Sequence, residues 1–208
     1  MILKTATENK PLIISYITLL LIGFTFLAFN QKIDLQIKVN QYTSDSLDII
    51  FLFITRLAEA WFTVPILIYF LIKDWKKAIF IGICYGLTAL IAIIIKYYAF
   101  DINSRPFGFS SLDKFNNYHW IQNYKMPIYN SFPSGHTTTA FTFAFILSLI
   151  NKNKWLSIPF VLIAGLVGFS RIFLSFHFLI DVVAGAIIGG VTSFLLYVIL
   201  KKRFCLKN

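Results

Sequence analysis

Six long apolar runs, at about residues 11–30, 48–72, 78–100, 137–150, 156–172 and 177–200, constrain this chain more than any other feature. Inside a bilayer the backbone must satisfy its own hydrogen bonds, and a run of about 20 apolar residues does so as a helix. The first, second, third and sixth runs are long enough alone. The fourth and fifth cross only with help from their less apolar flanks. Composition agrees, at 58% hydrophobic and 13% charged, where soluble domains run near 45–50% and about 25%. The expectation is an all-α polytopic membrane protein of six transmembrane helices, one domain over residues 1–208. The first run exceeds a signal-peptide core and "LAFNQ" offers no A-x-A cleavage site, so it reads as a retained helix.

The net charge of +10 does not imply nucleic acid, because the Lys and Arg residues form short clusters between apolar runs rather than one stripe. With six spans, both termini, "KDWKK" (73–77) and "NKNK" (151–154) share one side. Eleven of the nineteen basic residues fall there, against the acidic Glu8 and Asp74. The positive-inside rule makes that side cytoplasmic. The opposite side receives residues 31–47, the loop 101–136 and the turn before the last span. That loop is rich in Phe, Tyr and Trp, which suits either an interfacial anchor or a lipid-facing mouth over a site. Two cysteines, Cys84 and Cys205, are too few for a disulfide framework or a cysteine metal site.

Three polar elements interrupt the apolar pattern on the outer side. "KYYAFDINSRP" ends the third run with Lys96 and then Arg105–Pro106. A point charge and a planar fork of donors suit phosphate oxygens, although Lys96 alone would equally suit snorkelling to the interface. "FPSGHTTTAF" opens the fourth run. Pro, Ser and Gly before an apolar helix mark its N-terminus, where free N–H groups and the dipole favour an anion. Ser134 adds a hydroxyl, Gly135 allows close approach, and His136 sits in the first turn; a plain cap with a solvent-facing histidine is the alternative. "SRIFLSFHFLID" carries Arg171, His177 and Asp181. His177 and Asp181, four apart, are expected on one helical face, with the carboxylate fixing the imidazole tautomer and freeing its other nitrogen. Arg171 is expected before that helix, able to swing toward an anion. A buried structural pair is the alternative, but ionisable groups at membrane depth usually mark function.

Taken together, the elements offer three cations, a helix N-terminus and two histidines, one with an orienting carboxylate. Such a set can hold a phosphate, attack it and protonate a leaving group. Here the sequence resembles the type 2 phosphatidic acid phosphatase superfamily of integral membrane lipid phosphatases, whose signature is Lys with Arg-Pro, then P-S-G-H, then S-R-x5-H-x3-D. Pro133-Ser134-Gly135-His136 and Ser170-Arg171…His177…Asp181 match in full, and the motif core spans about 96–181. The first part departs: eight residues separate Lys96 from Arg105 where the family has six, and Tyr98 holds the usual position.

The resemblance implies that His177 is a nucleophile forming a phosphohistidine, Asp181 orients it, and His136 protonates the leaving oxygen. It implies that Lys96, Arg105, Ser134, Gly135 and Arg171 hold the phosphoryl group, with no metal or other cofactor. Three scattered histidines and few carboxylates fit that expectation. The implied substrate is a phosphorylated lipid at the outer leaflet of a bacterial inner membrane: lipid A first, undecaprenyl diphosphate, phosphatidylglycerol phosphate or phosphatidic acid as alternatives. A non-catalytic lipid-phosphate binder or transporter would need the cradle but not the intact His177–Asp181 pair with His136. A vanadate-dependent haloperoxidase shares the cradle but is soluble. Arg56 and Glu59, three apart near the outer end of the second run, are expected to form a structural ion pair, with lining of the substrate mouth as the alternative, and His119 a surface or headgroup contact.

Overall fold

The structure, a computed structural model, describes residues 1–99 and 105–206. Among these the chain is helical, with no strand: α1 (Ile2–Glu8), α2 (Lys10–Phe29), α3 (Lys32–Asn40), α4 (Asp45–Thr55), α5 (Ala60–Lys73), α6 (Trp75–Ile94), α7 (Gly135–Ile150), α8 (Ser157–Phe173) and α9 (Leu179–Leu200). Side chains start several of them. Ser44 accepts from Leu47 N at the head of α4, Asp74 from Lys77 N at α6, and Ser134 from Thr137 N at α7. Each satisfies a donor that the helix itself leaves open.

Among the described residues, five segments are long and apolar enough to cross a membrane: Lys10–Phe29, Asp45–Lys73, Trp75–Tyr98, Lys154–Phe173 and Leu179–Leu200. The expected fourth span, α7, has 16 residues and so a length of about 24 Å, short of the ~30 Å hydrocarbon core. It is also the most enclosed helix. Phe141, Phe145, Ile146 and Leu149 are all buried, and α9, α8 and α6 pack around it. A helix that is apolar all round belongs inside a bundle, and the outer helices then show large apolar side chains such as Ile14, Phe24, Ile68 and Leu90 to their surroundings. The second run is not one helix. A single 3-10 turn, Arg56–Ala58, separates α4 from α5, and Glu59 is extended there.

The closest approach in the bundle is between α7 and α9. A Cβ at Gly185 would lie 2.6 Å from the Ser134 carbonyl oxygen, and one at Gly189 would strike the Thr138 carbonyl. Small residues four apart let two backbones meet in this way. Tyr16 from α2 closes the layer with its hydroxyl on the Ala186 carbonyl at 3.1 Å and its ring edge-on to Phe145. At one end of the bundle the chain termini meet, with Lys201 Nζ donating to Thr5 Oγ1 at 2.8 Å. The three polar sequence elements gather at the other end.

Replacing Gly189 with Leu should force α7 and α9 apart, since the obstructing atoms are backbone. The expected loss is about 2–3 kcal/mol, read as a lower unfolding midpoint in detergent. Gly86→Leu is the control, because a Cβ there meets nothing within 4 Å.

Candidate active site

The turn between α8 and α9 is built to hold one imidazole. Phe176 N and His177 N both donate to the Arg171 carbonyl, at 2.9 and 3.1 Å. Ser175 takes a left-handed backbone, φ 58°, which a non-glycine residue adopts only when its surroundings fix it. Here they do. Tyr118 from the outer loop lies 2.6 Å from Ser175 Oγ, and Gln36 of α3 donates to Tyr118, to the Ile172 carbonyl and to Ser175 Oγ. Part of the aromatic loop is therefore a wedge rather than an anchor: Phe115 is buried, and Phe115, Tyr118 and Trp120 stack on one another.

His177 thus precedes α9 instead of lying on it, and Asp181 occupies the helix's first turn. The expected shared helical face is replaced by a cap. Asp181 Oδ2 accepts from Phe178 N at 2.9 Å and from Ser131 Oγ at 2.5 Å, and lies 3.4 Å from His177 Nδ1. One carboxylate starts the helix and orients the ring together. With Nδ1 turned to Asp181, Nε2 is left to face Arg105 Nη1 at 3.3 Å. Burial holds His177 far below the ordinary histidine value, at about 3, with Arg171 and Arg105 pushing the same way and the Asp181 hydrogen bond opposing them. The ring is a free base at neutral pH.

Arg105 is fixed rather than free. It donates to the carbonyls of Tyr129, Asn130 and Phe176 through Nε, Nη2 and Nη1. Arg171 corrects the sequence expectation: it is not in the turn but in the last turn of α8, buried, with Nη1 on Thr55 Oγ1 at 2.8 Å and its plane 4.3 Å from the Phe176 ring centroid. Its Nε has no partner among the described residues, leaving one strong donor for an anion. Lys96 falls in a π-helical turn, Ile95–Ala99, that ends the third span. It is half-buried and within electrostatic range of Arg105, Arg171 and Asp181. Tyr98, the position that the usual spacing would select, is 85% exposed. A π turn shifts the helical phase, which brings Lys96 inward despite the longer spacing; residues 100–104 lie outside the described set.

Ser134 and Gly135 start α7 beside this turn. Ser134 N donates to the Asp181 carbonyl at 3.0 Å, and its hydroxyl takes the Thr137 hydroxyl at 2.9 Å. A Cβ at Gly135 meets nothing within 4 Å, so the backbone there faces open space. His136 Nε2 stands 3.4 Å from Glu59 Oε1. Glu59 therefore turns to His136 and forms no ion pair with Arg56 among the described residues, because the break between α4 and α5 carries it to the α7 side.

The structure joins residues that sequence reasoning passed over: Ser131, Thr55, Gln36 and Tyr118. None belongs to a motif; each is a lone polar residue in a greasy or aromatic stretch, and only that incongruity could have flagged them. Lys32 Nζ, 4.1 Å from the Phe178 ring, is another cation near Asp181. His119 is half-buried, with its ring engaged inside the protein. It binds Asp48 at 2.8 Å and approaches Asp45 at 3.7 Å, tying the outer loop to α4. The ligand atoms of these three side chains lie within 4.8 Å of one another, a convergence that three scattered histidines had not led us to expect; none of them belongs to the three motifs.

The sequence matches the family model described as PAP2 superfamily over residues 77–205, which takes in both histidines, Asp181 and all three cations. The chain belongs to the PAP2 superfamily. It is a multi-pass membrane phosphatase of that family. An undecaprenyl-diphosphatase from Sulfolobus acidocaldarius is 30% identical over 188 residues, 88% of this chain and 84% of that protein. A lipid A 4'-phosphatase from Bacteroides thetaiotaomicron is 42% identical over 71 residues, 34% of this chain and 32% of that protein. Among solved structures, Aquifex aeolicus LpxE superposes with a TM-score of 0.65 at 26% identity, covering 81% of this chain and 95% of that one. A PAP2-type phosphatidylglycerolphosphate phosphatase from Bacillus subtilis shares the fold, with a TM-score of 0.64 at 22% identity, over 93% and 97%.

The depressed value of His177 links this site to stability. Below about pH 6.5 the unfolded chain takes a proton on His177 that the folded chain refuses until about pH 3. Stability is therefore full above pH 6.5 and falls as pH drops toward 3, with a slope from this group approaching 1.4 kcal/mol per pH unit, roughly. Denaturant unfolding of His177→Asn should show a flatter acid limb than the wild type between pH 6 and 4.

Proposed function

We propose that this PAP2 member removes phosphate from a membrane lipid by way of a phosphohistidine on His177. One observation carries the reading: Asp181, itself held by the Ser131 hydroxyl, faces Nδ1 while Nε2 lies beside Arg105. A neutral imidazole with one nitrogen engaged is a nucleophile at the other. Nε2 attacks phosphorus in line with the lipid oxygen. Arg105, Arg171, Lys96, the Ser134 hydroxyl and the backbone at Gly135 take the charge that gathers on the phosphoryl oxygens. His136 gives the leaving oxygen its proton, and then takes one from the water that releases phosphate. The buried cations fill the electrostatic role that a divalent ion has in other phosphatases, so the reaction requires no metal. Residues 1–208 act as one transmembrane phosphatase domain around the core at 96–181.

Two headgroups have specific support. The relative aligned over most of both chains is named an undecaprenyl-diphosphatase; a lipid A 4'-phosphatase matches over a shorter stretch, and the long outer loop carries the Phe, Tyr and Trp residues that favour the headgroup level. Lipid A remains the first reading and undecaprenyl diphosphate the second. A binder or transporter has no need of a tautomer-fixed His177. Phosphate release from a panel of lipid A, undecaprenyl diphosphate and phosphatidylglycerol phosphate separates these. At least one lipid should be turned over, His177→Ala should be about 10³-fold slower or worse, and EDTA should leave the rate unchanged. Equal release by His177→Ala contradicts the mechanism, and loss of activity in EDTA contradicts its metal independence.

The site faces the periplasm of a bacterial inner membrane, with both termini cytoplasmic. Support comes from the basic residues, which gather at the end where the termini meet, and from the positive-inside rule. An Asp113→Cys variant, made with Cys205 replaced by Ser, should react with an impermeant thiol reagent on intact cells. Labelling only after lysis contradicts this orientation.

A further inference from the structure

We propose that Glu59 is the positioning residue that keeps His136 in its acid form, a second carboxylate–histidine pair beside Asp181–His177. The role rests on the phosphohistidine reading above and adds to it a residue outside the three motifs. Glu59 Oε1 stands 3.4 Å from His136 Nε2. The other charged or titratable groups facing His136 are Arg171 from α8, Arg105 from the outer loop, His177 from the turn before α9 and Lys96 from the end of the third span. Three are cations. A proton on His136 therefore lies in a field that repels it, and among the described residues Glu59 is the carboxylate placed at 3.4 Å to oppose that field. Before a leaving group can be protonated, the imidazole must hold the proton it will give.

The backbone explains how Glu59 gets there. The 3-10 turn Arg56–Ala58 ends with Glu59 N on the Arg56 carbonyl at 2.9 Å, and Glu59 is extended, φ −92° and ψ 172°. Its carbonyl accepts from Phe62 N and Thr63 N, starting α5. The carbonyl does the capping, so the side chain is free to cross to α7. That 3-10 turn packs directly on α7. Continuous helix through 45–73 would leave Glu59 on a face set by Arg56 instead.

In the step itself, the bond from His177 Nε2 to phosphorus forms as the phosphorus–oxygen bond to the lipid breaks. The electron pair leaves on the lipid oxygen, which takes the proton from His136. His136 ends neutral, still hydrogen-bonded through Nε2–H to Glu59. An alcohol leaving group needs that proton; an acidic phenol leaves without it.

The test compares kcat/KM for an alkyl phosphomonoester lipid and for 4-nitrophenyl phosphate, using the full chain in detergent. Because kcat/KM reports steps through phosphorus–oxygen cleavage, it isolates the proton gift. Glu59→Gln should lose about 10- to 100-fold on the lipid and less than about 3-fold on the aryl ester. The alkaline limb of its lipid profile should move down by about one pH unit, and Glu59→Asp should recover part of both. Parallel losses on the two substrates, or no loss on the lipid, overturn the role. His177→Ala, run alongside, must be inactive on both; activity there overturns the underlying reading instead, so the two failures are distinguishable.

Discussion

Everything at the site depends on the backbone contact between α7 and α9. Gly185 and Gly189 let the second helix lie directly on the carbonyls of Ser134 and Thr138. At that distance the Ser134 N–H reaches the Asp181 carbonyl, which bolts one helix start to the other. The N-terminus of α7, proposed to bind phosphate, and the His177–Asp181 turn are then held as one piece. A site built on two rigid helix starts keeps its geometry more closely than one built on loops, and near-attack geometry is worth several powers of ten in rate.

The second organising feature is an excess of buried positive charge. Arg171 is 7% exposed and Lys96 half-buried, yet among the described residues Asp181 and Glu59 are the carboxylates that face the cations. Burying unbalanced charge is costly, and in the proposed reaction a substrate phosphate supplies the missing anion. Binding and charge stabilisation thus come from the same side chains. The geometry also divides labour between carboxylates. Asp181 caps a helix while fixing a tautomer, which is why it must be a short acid at the third helical position.

Much of this was legible in the residues. Runs of apolar sequence gave the helices, and P-S-G-H gave the start of α7, because both are local patterns with local causes. H-x3-D reads as one helical face, where the structure instead makes Asp181 the cap of a helix that begins after His177. What failed to show was set by tertiary contact. Arg171 reads as free to swing ahead of α9, but it is buried in the last turn of α8 and held by Thr55, a partner 116 positions away that no local pattern announces. Glu59 reads as the partner of Arg56 because an unbroken helix puts them on one face, and nothing in the apolar run announces the 3-10 turn. The G-x3-G spacing of Gly185 and Gly189 lay in plain sight but has meaning only once a partner helix is known. Ser131 is invisible without the fold: it is one serine in an aromatic loop, brought to Asp181 across fifty positions.

The central claim is that His177 becomes covalently phosphorylated. Rapid acid-free quenching of the full chain during turnover of a ³²P-labelled lipid phosphate, followed by peptide mapping, tests it most directly. The account predicts label on the peptide carrying His177, stable to alkali, labile to acid, and absent when His177 is replaced by Ala. Turnover with no labelled protein, or label on a peptide carrying His136 or a serine, would contradict it.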